Sequence, residues 1–192
     1  MSCTPPRHPH RLLGRHLGFG PALLLAGLSL AAAPALAQQS APAPAPAAQA
    51  AIADAQGKPL GTVTFTKFPH GILVHGQLEG LPPGWHGIHI HENGACTPDF
   101  KAAGGHFGAQ GSKHGLESEH MHYGELPNIW ANEAGKAGFE AITHMVSLTD
   151  GADGLFKQGG TSIIIHAQPD DYLSQPAGNS GDRLACGIIK KP

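Results

Sequence analysis

Alternation of apolar and polar side chains is the first ordered signal along this 192-residue chain. Between Leu60 and Phe68, Val63, Phe65 and Lys67 fall on one side and Thr62, Thr64 and Thr66 on the other. That is the two-residue period of a strand. Gly71 to Leu78 repeats it, with Ile72, Val74 and Leu78 on one face. Phe139 to Leu148 groups Ile142, Val146 and Leu148, Thr161 to His166 is β-branched and apolar, and Leu184 to Ile189 supplies another short strand. Turn signals separate these runs: PPG at 82–84, NEAGK at 132–136 and DGADG at 150–154. Short strands at regular spacing predict an all-β, antiparallel sandwich or barrel. The segment from Glu92 to Asn128 shows neither strand nor helix period. A long irregular loop inside a compact domain needs something to hold it in place and is usually functional.

The first residues follow another logic. Arg7, Arg11 and Arg15 precede an apolar stretch, Leu17 to Ala33, and Ala35-Leu36-Ala37 offers a small-x-small cleavage site. Residues 1–37 therefore read as an export signal cut after Ala37, which predicts a periplasmic or otherwise exported chain with no membrane span once mature. Residues 38–51 open as QQSAPAPAPAAQA, an Ala/Pro-rich linker expected to be extended. The folded domain is then expected over 52–192. Cys3 leaves with the signal, and the two cysteines that remain, Cys96 and Cys186, predict one disulfide in an oxidising compartment.

Composition narrows the chemistry. The chain is 41% hydrophobic and 14% charged, with a net charge of -2 and no basic stripe, which argues against a nucleic-acid partner. The 14 histidines are the anomaly. In GIHIHENGAC (87–96), His89 and His91 share one strand face while Ile88 and Ile90 take the other. Two imidazoles so placed can grip one ion, but the pair alone reads better as solvent-facing polar residues on a half-exposed strand. His106, His114, His122, Glu125 and His166 follow on loops and strand ends. Imidazole-rich sets suit copper and zinc. A single structural zinc needs four ligands, so seven candidates imply two ions, or one ion with additional polar groups.

At this point the residues resemble a family. GIHIHENGAC, GGHFGAQGSKHG, HYGELP, IIIHAQPDD and GNSGDRLACGII are similar, in order and approximate spacing from about Gly61 to Ile189, to the exported bacterial copper/zinc superoxide dismutases. The resemblance implies a Greek-key, immunoglobulin-like β-sandwich with long metal-binding loops. It implies copper on His89, His91, His106 and His166, and zinc on His106, His114, His122 and Glu125. Arg183 and His106 would be catalytic, the one guiding superoxide anion, the other bridging both metals and carrying a proton. Asp170 would orient ligand histidines, and Cys96–Cys186 would be the intrasubunit disulfide. One departure stands out: the family normally carries aspartate where this chain has Glu125, which predicts weaker zinc binding or an altered zinc geometry. His70, His75, His86, His120 and His144 read as ordinary surface or hydrogen-bonded histidines. The oligomeric state is left open, a homodimer included. The rival reading is a periplasmic copper/zinc store or donor without turnover.

Overall fold

The computed structural model describes residues 44–192, so the expected signal at 1–37 and the first part of the linker lie outside the described residues. Nine strands follow in order: β1 (Ala48–Asp54), β2 (Pro59–Phe68), β3 (Gly71–Glu79), β4 (Gly84–His86), β5 (Ile88–His91), β6 (Ile129–Ala131), β7 (Lys136–Thr143), β8 (Ser162–His166) and β9 (Arg183–Ile188). The only helical element among the described residues is a short 3-10 turn, Phe100–Ala103. Seven strands form one antiparallel sheet in the order β5-β8-β9-β1-β2-β3-β7, and β4 pairs with β6. The chain crosses from β3 through β4 to β5 at the opposite sheet edge, and then returns through β6 to β7, which is the Greek-key path the sequence implied.

The alternations at β2 and β3 place Val63, Phe65, Ile72, Val74 and Leu78 in the core. Two expectations shift. The linker was expected to reach Ala51, but Ala48–Ala51 already belong to β1, hydrogen-bonded in register to β2. Its inward residues Ala48, Ala50 and Ile52 are buried, so the domain begins earlier than residue 52. The strand expected to run to Leu148 ends at Thr143, and Ile142, assigned to the apolar face, is 68% exposed. Ile142 lies on the outer face of β7, while Val146 is buried beyond the strand's end, so the two do not share a strand face.

Strands β5 and β8 are buried on both faces. This is why they read as near-continuous apolar runs rather than clean alternations. Ile88, Ile90, Ile163 and Ile165 enter the main core, whereas Ile164 joins Cys186 and Ala103 in a second cluster against Cys96 and Phe100. Register then decides the site. His89 pairs with Ile164 and His91 with Ser162, so His89, His91 and the outer residues of β8, His166 included, share one face.

Candidate metal centre

Strand β5 is a sheet edge, and an edge exposes unpaired backbone groups. Two pieces of the long loop cover it. Ile90 N–H donates to Gly124 O (2.9 Å), Phe107 N–H to Ile90 O (2.8 Å) and Gly124 N–H to Phe107 O (2.8 Å). The register sets His106 opposite His91 and Glu125 opposite His89. A side chain at Gly124 would strike the Ile90 carbonyl, so only glycine permits this approach. Chain segments 15 or more residues apart in sequence are thereby brought into one constellation.

Four imidazoles converge there. His89, His91, His106 and His166 are all buried, and one ring nitrogen of each lies within 4.8 Å of the others. In every ring one nitrogen is engaged. His89 Nε2 stands 2.8 Å from Asp170 Oδ2, His91 Nδ1 3.0 Å from Gly104 O, His106 Nδ1 3.1 Å from Glu125 Oε1, and His166 Nδ1 3.3 Å from Gly181 O. The other nitrogen of each, His89 Nδ1 and Nε2 of His91, His106 and His166, is buried with no hydrogen-bond partner. A buried unpaired nitrogen costs about 1–3 kcal/mol. Four together, lone pairs facing one another, make sense only around a cation with affinity for imidazole.

Burial keeps the free nitrogens of His91, His106 and His166 unprotonated. Burial lowers His106 to about 4, and neighbouring His89 and His114 push the same way against the hydrogen bond that His106 donates to Glu125. Burial, then the charge of His89, lowers His166 to about 3. His91 is also held well below its ordinary value by burial and by His106. These rings are neutral at pH 7, as metal ligation requires.

Beside them lies a second focus. Glu125 Oε1 sits 3.1 Å from His106 Nδ1, 3.0 Å from His114 Nδ1 and 2.8 Å from His122 Nδ1. Burial pushes the Glu125 carboxyl up, but hydrogen bonds from His106 and His122 prevail and hold it far below the usual carboxylate range. His114 Nε2 is engaged by Asp170 Oδ1 at 2.9 Å. His114 thus lies between two carboxylates, Asp170 at Nε2 and Glu125 at Nδ1. Mutual distance alone would group His89 with His106, His114 and Glu125 and leave out His122. The bonding argues otherwise. His89 Nε2 is spent on Asp170 and stands 3.8 Å from Glu125 Oε2, whereas His122 points its Nδ1 at the shared Oε1. The Glu125 oxygen reaches all three rings.

Asp170 spans the two groups: its carboxylate, wholly buried, meets His89 through one oxygen and His114 through the other. Asn128 holds its backbone in a double amide pair, Asn128 Nδ2–H to Asp170 O and Asp170 N–H to Asn128 Oδ1, both 2.8 Å. Gln175 grips the backbone of His114 in the same manner, accepting from its N–H at 3.1 Å and donating to its carbonyl at 2.7 Å. Sequence reasoning missed Asn128 and Gln175, because an amide side chain carries no pattern until its partner is known. Arg183 donates from Nη1 to Phe100 O and from Nη2 to Gly104 O, each 2.6 Å. The Gly104 carbonyl also serves His91, so the guanidinium and that imidazole share one anchor.

Cys96 and Cys186 are joined in a disulfide. Of the remaining histidines, His86 is buried with its ring nitrogens 2.8 Å from His166 O and 2.7 Å from Pro82 O. His75 meets Glu140 at 3.2 Å on the sheet surface, and His120 is exposed.

The family model for copper/zinc superoxide dismutase (SODC) matches residues 60–189. A Cu-Zn superoxide dismutase of Caulobacter vibrioides is 48% identical over 139 residues, covering 70% of this chain and 80% of the relative. The crystal structure of a superoxide dismutase-like protein from Bacillus subtilis superposes with a TM-score of 0.68 at 33% identity, covering 73% of this chain and 96% of that one. The Cu/Zn superoxide dismutase of Brucella abortus gives 0.62 at 31% identity, covering 74% and 98%. Over a span that holds both histidine clusters and the disulfide, this chain belongs to the copper/zinc superoxide dismutase family.

Proposed function

We propose that His89, His91, His106 and His166 hold copper, and that His106, His114, His122 and Glu125 hold zinc, in an enzyme that converts two superoxide anions and two protons to dioxygen and hydrogen peroxide. The observation that carries the copper assignment is the set of four buried imidazole nitrogens without a hydrogen-bond partner. Copper at those nitrogens supplies reversible one-electron chemistry, while zinc, with no redox change of its own, supplies charge and fixed geometry.

The chain's own groups do the rest. Arg183 has two of its five N–H groups fixed on carbonyls, which locks the guanidinium plane and leaves donors for a small anion. A net charge of -2 gives superoxide no general attraction, so this local cation matters. His106 turns Nδ1 to the side of Glu125, His114 and His122 and Nε2 to the imidazole cluster, and Nε2 is the atom where a proton can be carried to the reduced anion. Asp170 holds His89 and His114 by their Nε2 atoms, fixing tautomer and ring plane at both centres. A store or donor of copper without turnover has no use for an arginine locked in this way.

The remaining readings concern context. A disulfide suits an oxidising compartment, which supports export to the periplasm; cleavage after Ala37 rests on the small-x-small sequence Ala35-Leu36-Ala37. Among the described residues no helix is long and apolar enough to cross a membrane. Trp85 and Trp130, paired across β4 and β6 at 5.3 Å and each about half exposed, form the apolar surface a second copy would cover in a homodimer. The test of function is metal content and superoxide consumption of the mature protein. We expect one copper per chain and dismutation that disappears in His91→Ala and His166→Ala, with the β-sheet circular dichroism unchanged. Full activity in a copper-free preparation overturns the assignment.

A further inference from the structure

We propose that Tyr172 is a positioning residue for both metal centres, a three-way junction through which the two histidine-bearing loop segments set the orientation of Asp170. Three contacts of one residue carry the argument. Its N–H donates to Asp170 Oδ1 at 2.6 Å. Its carbonyl accepts from Leu116 N–H at 2.9 Å, tying down the segment that carries His114. Its hydroxyl accepts from Asn128 N–H at 2.8 Å, three residues after Glu125. Asn128 in turn clamps the Asp170 backbone from both sides. Asp170 therefore reaches His89 and His114 from a backbone fixed by Asn128 and a carboxylate fixed by Tyr172.

Two features say the arrangement is built. Tyr172 adopts φ 61°, the left-handed region where a side chain is strained and glycine is favoured, yet the chain keeps a tyrosine there. Strain of this kind persists where surrounding contacts over-determine it. Gly115, next to His114, is pressed so closely on Tyr172 that a side chain at that glycine would collide with the tyrosine carbonyl. The hydroxyl reaches one segment and the backbone holds the other two. A smaller residue would keep the turn and lose the link to Asn128.

The inference rests on the zinc assignment above, and the test separates the two. Tyr172→Phe removes the hydroxyl alone. In the metal-free protein reloaded with zinc, competition against a chromogenic chelator should show about 10-fold weaker zinc binding, the lower end of what loss of an outer partner costs. Cobalt(II) loaded in place of zinc should show shifted visible ligand-field bands, a change that mere loosening of a loop elsewhere would not cause. Leu173→Ala, a neighbour 54% exposed and outside the junction, should match the parent in both readouts. Asn128→Ala, which breaks the amide pair while leaving Tyr172 intact, should weaken zinc in the same direction. Parent-like zinc affinity and a superimposable cobalt spectrum in Tyr172→Phe overturn the junction while leaving the zinc assignment standing. So does parent-like zinc binding in Asn128→Ala. A parent that takes up no zinc overturns the zinc assignment itself, and the junction with it.

Discussion

Removing the disulfide tests how stability and catalysis are joined in this fold. Cys96 and Cys186 lie 90 positions apart, so their bond closes a loop comparable in length to the domain's whole functional half. Chain-entropy estimates put the stabilisation from closing such a loop at about 4.6 kcal/mol. A domain of this size has an unfolding entropy of roughly 0.3 kcal/mol/K, so the double variant Cys96→Ala/Cys186→Ala should melt about 15 °C lower. Alanine avoids leaving a buried hydroxyl unpaired at Cys186, which is only 3% exposed. Calorimetry on metal-free protein at pH 7 isolates this effect from metal binding. The functional consequence is separate. The segment pinned by Cys96 carries Phe100 and Gly104, whose carbonyls hold Arg183, and the Gly104 carbonyl also engages His91. Copper-loaded variant at 25 °C, well below its melting point, should therefore consume superoxide several-fold more slowly than the parent. A melting shift under about 3 °C, or a parent-like rate in the loaded variant, would refute this coupling.

Other consequences can be checked with single changes. Arg183→Ile should lower the dismutation rate at low ionic strength on the order of 10-fold and flatten its salt dependence, because the local attraction it removes is what salt screens; an unchanged rate argues that the fork does not meet substrate. Glu125→Ala should weaken zinc binding at least about 10-fold, and Glu125→Asp should change it in either direction, since the oxygen now met by three imidazoles would be drawn back; two variants that bind zinc like the parent would show Glu125 to be outside the coordination shell. Metal-free protein should lose stability on acidification. His106 and His166 stay neutral in the fold down to about 4 and about 3, against an ordinary 6.5, so between those limits protons bind the unfolded chain preferentially and stability falls as pH drops. Glu125 and Asp170, both held below their ordinary values, extend the loss in the same direction at lower pH. Unfolding free energies from urea titrations at pH 7.5, 5.5 and 4 should decline steadily, by on the order of a few kcal/mol in total; a flat series would contradict the burial of neutral imidazoles.

How much of this was legible beforehand follows from what local chemistry can encode. Alternation in Leu60–Phe68 and Gly71–Leu78 marked β2 and β3 because one face meets the core and the other meets water. The first strand escaped notice: its inward residues are mostly alanines, and an Ala/Pro tract runs straight into it, so hydrophobic contrast was too weak to separate strand from tether. The end of β7 was misplaced because Ile142 is apolar but faces out, and a single exposed isoleucine imitates a core position. The histidines, Glu125, Asp170, Arg183 and the cysteine pair were visible as residue types at family spacing. Their sequence alone determined which kinds of atom the domain would offer to a metal. Only the tertiary structure decided which nitrogen of each ring stays free. That choice depends on what the other nitrogen meets: the Gly104 carbonyl for His91, the Asp170 carboxylate for His89, the Gly181 carbonyl for His166. Each partner lies at least 13 positions away along the chain. No local pattern specifies such a partner, because it is the register of β5 against β8 and of the loop against the β5 edge that brings them together.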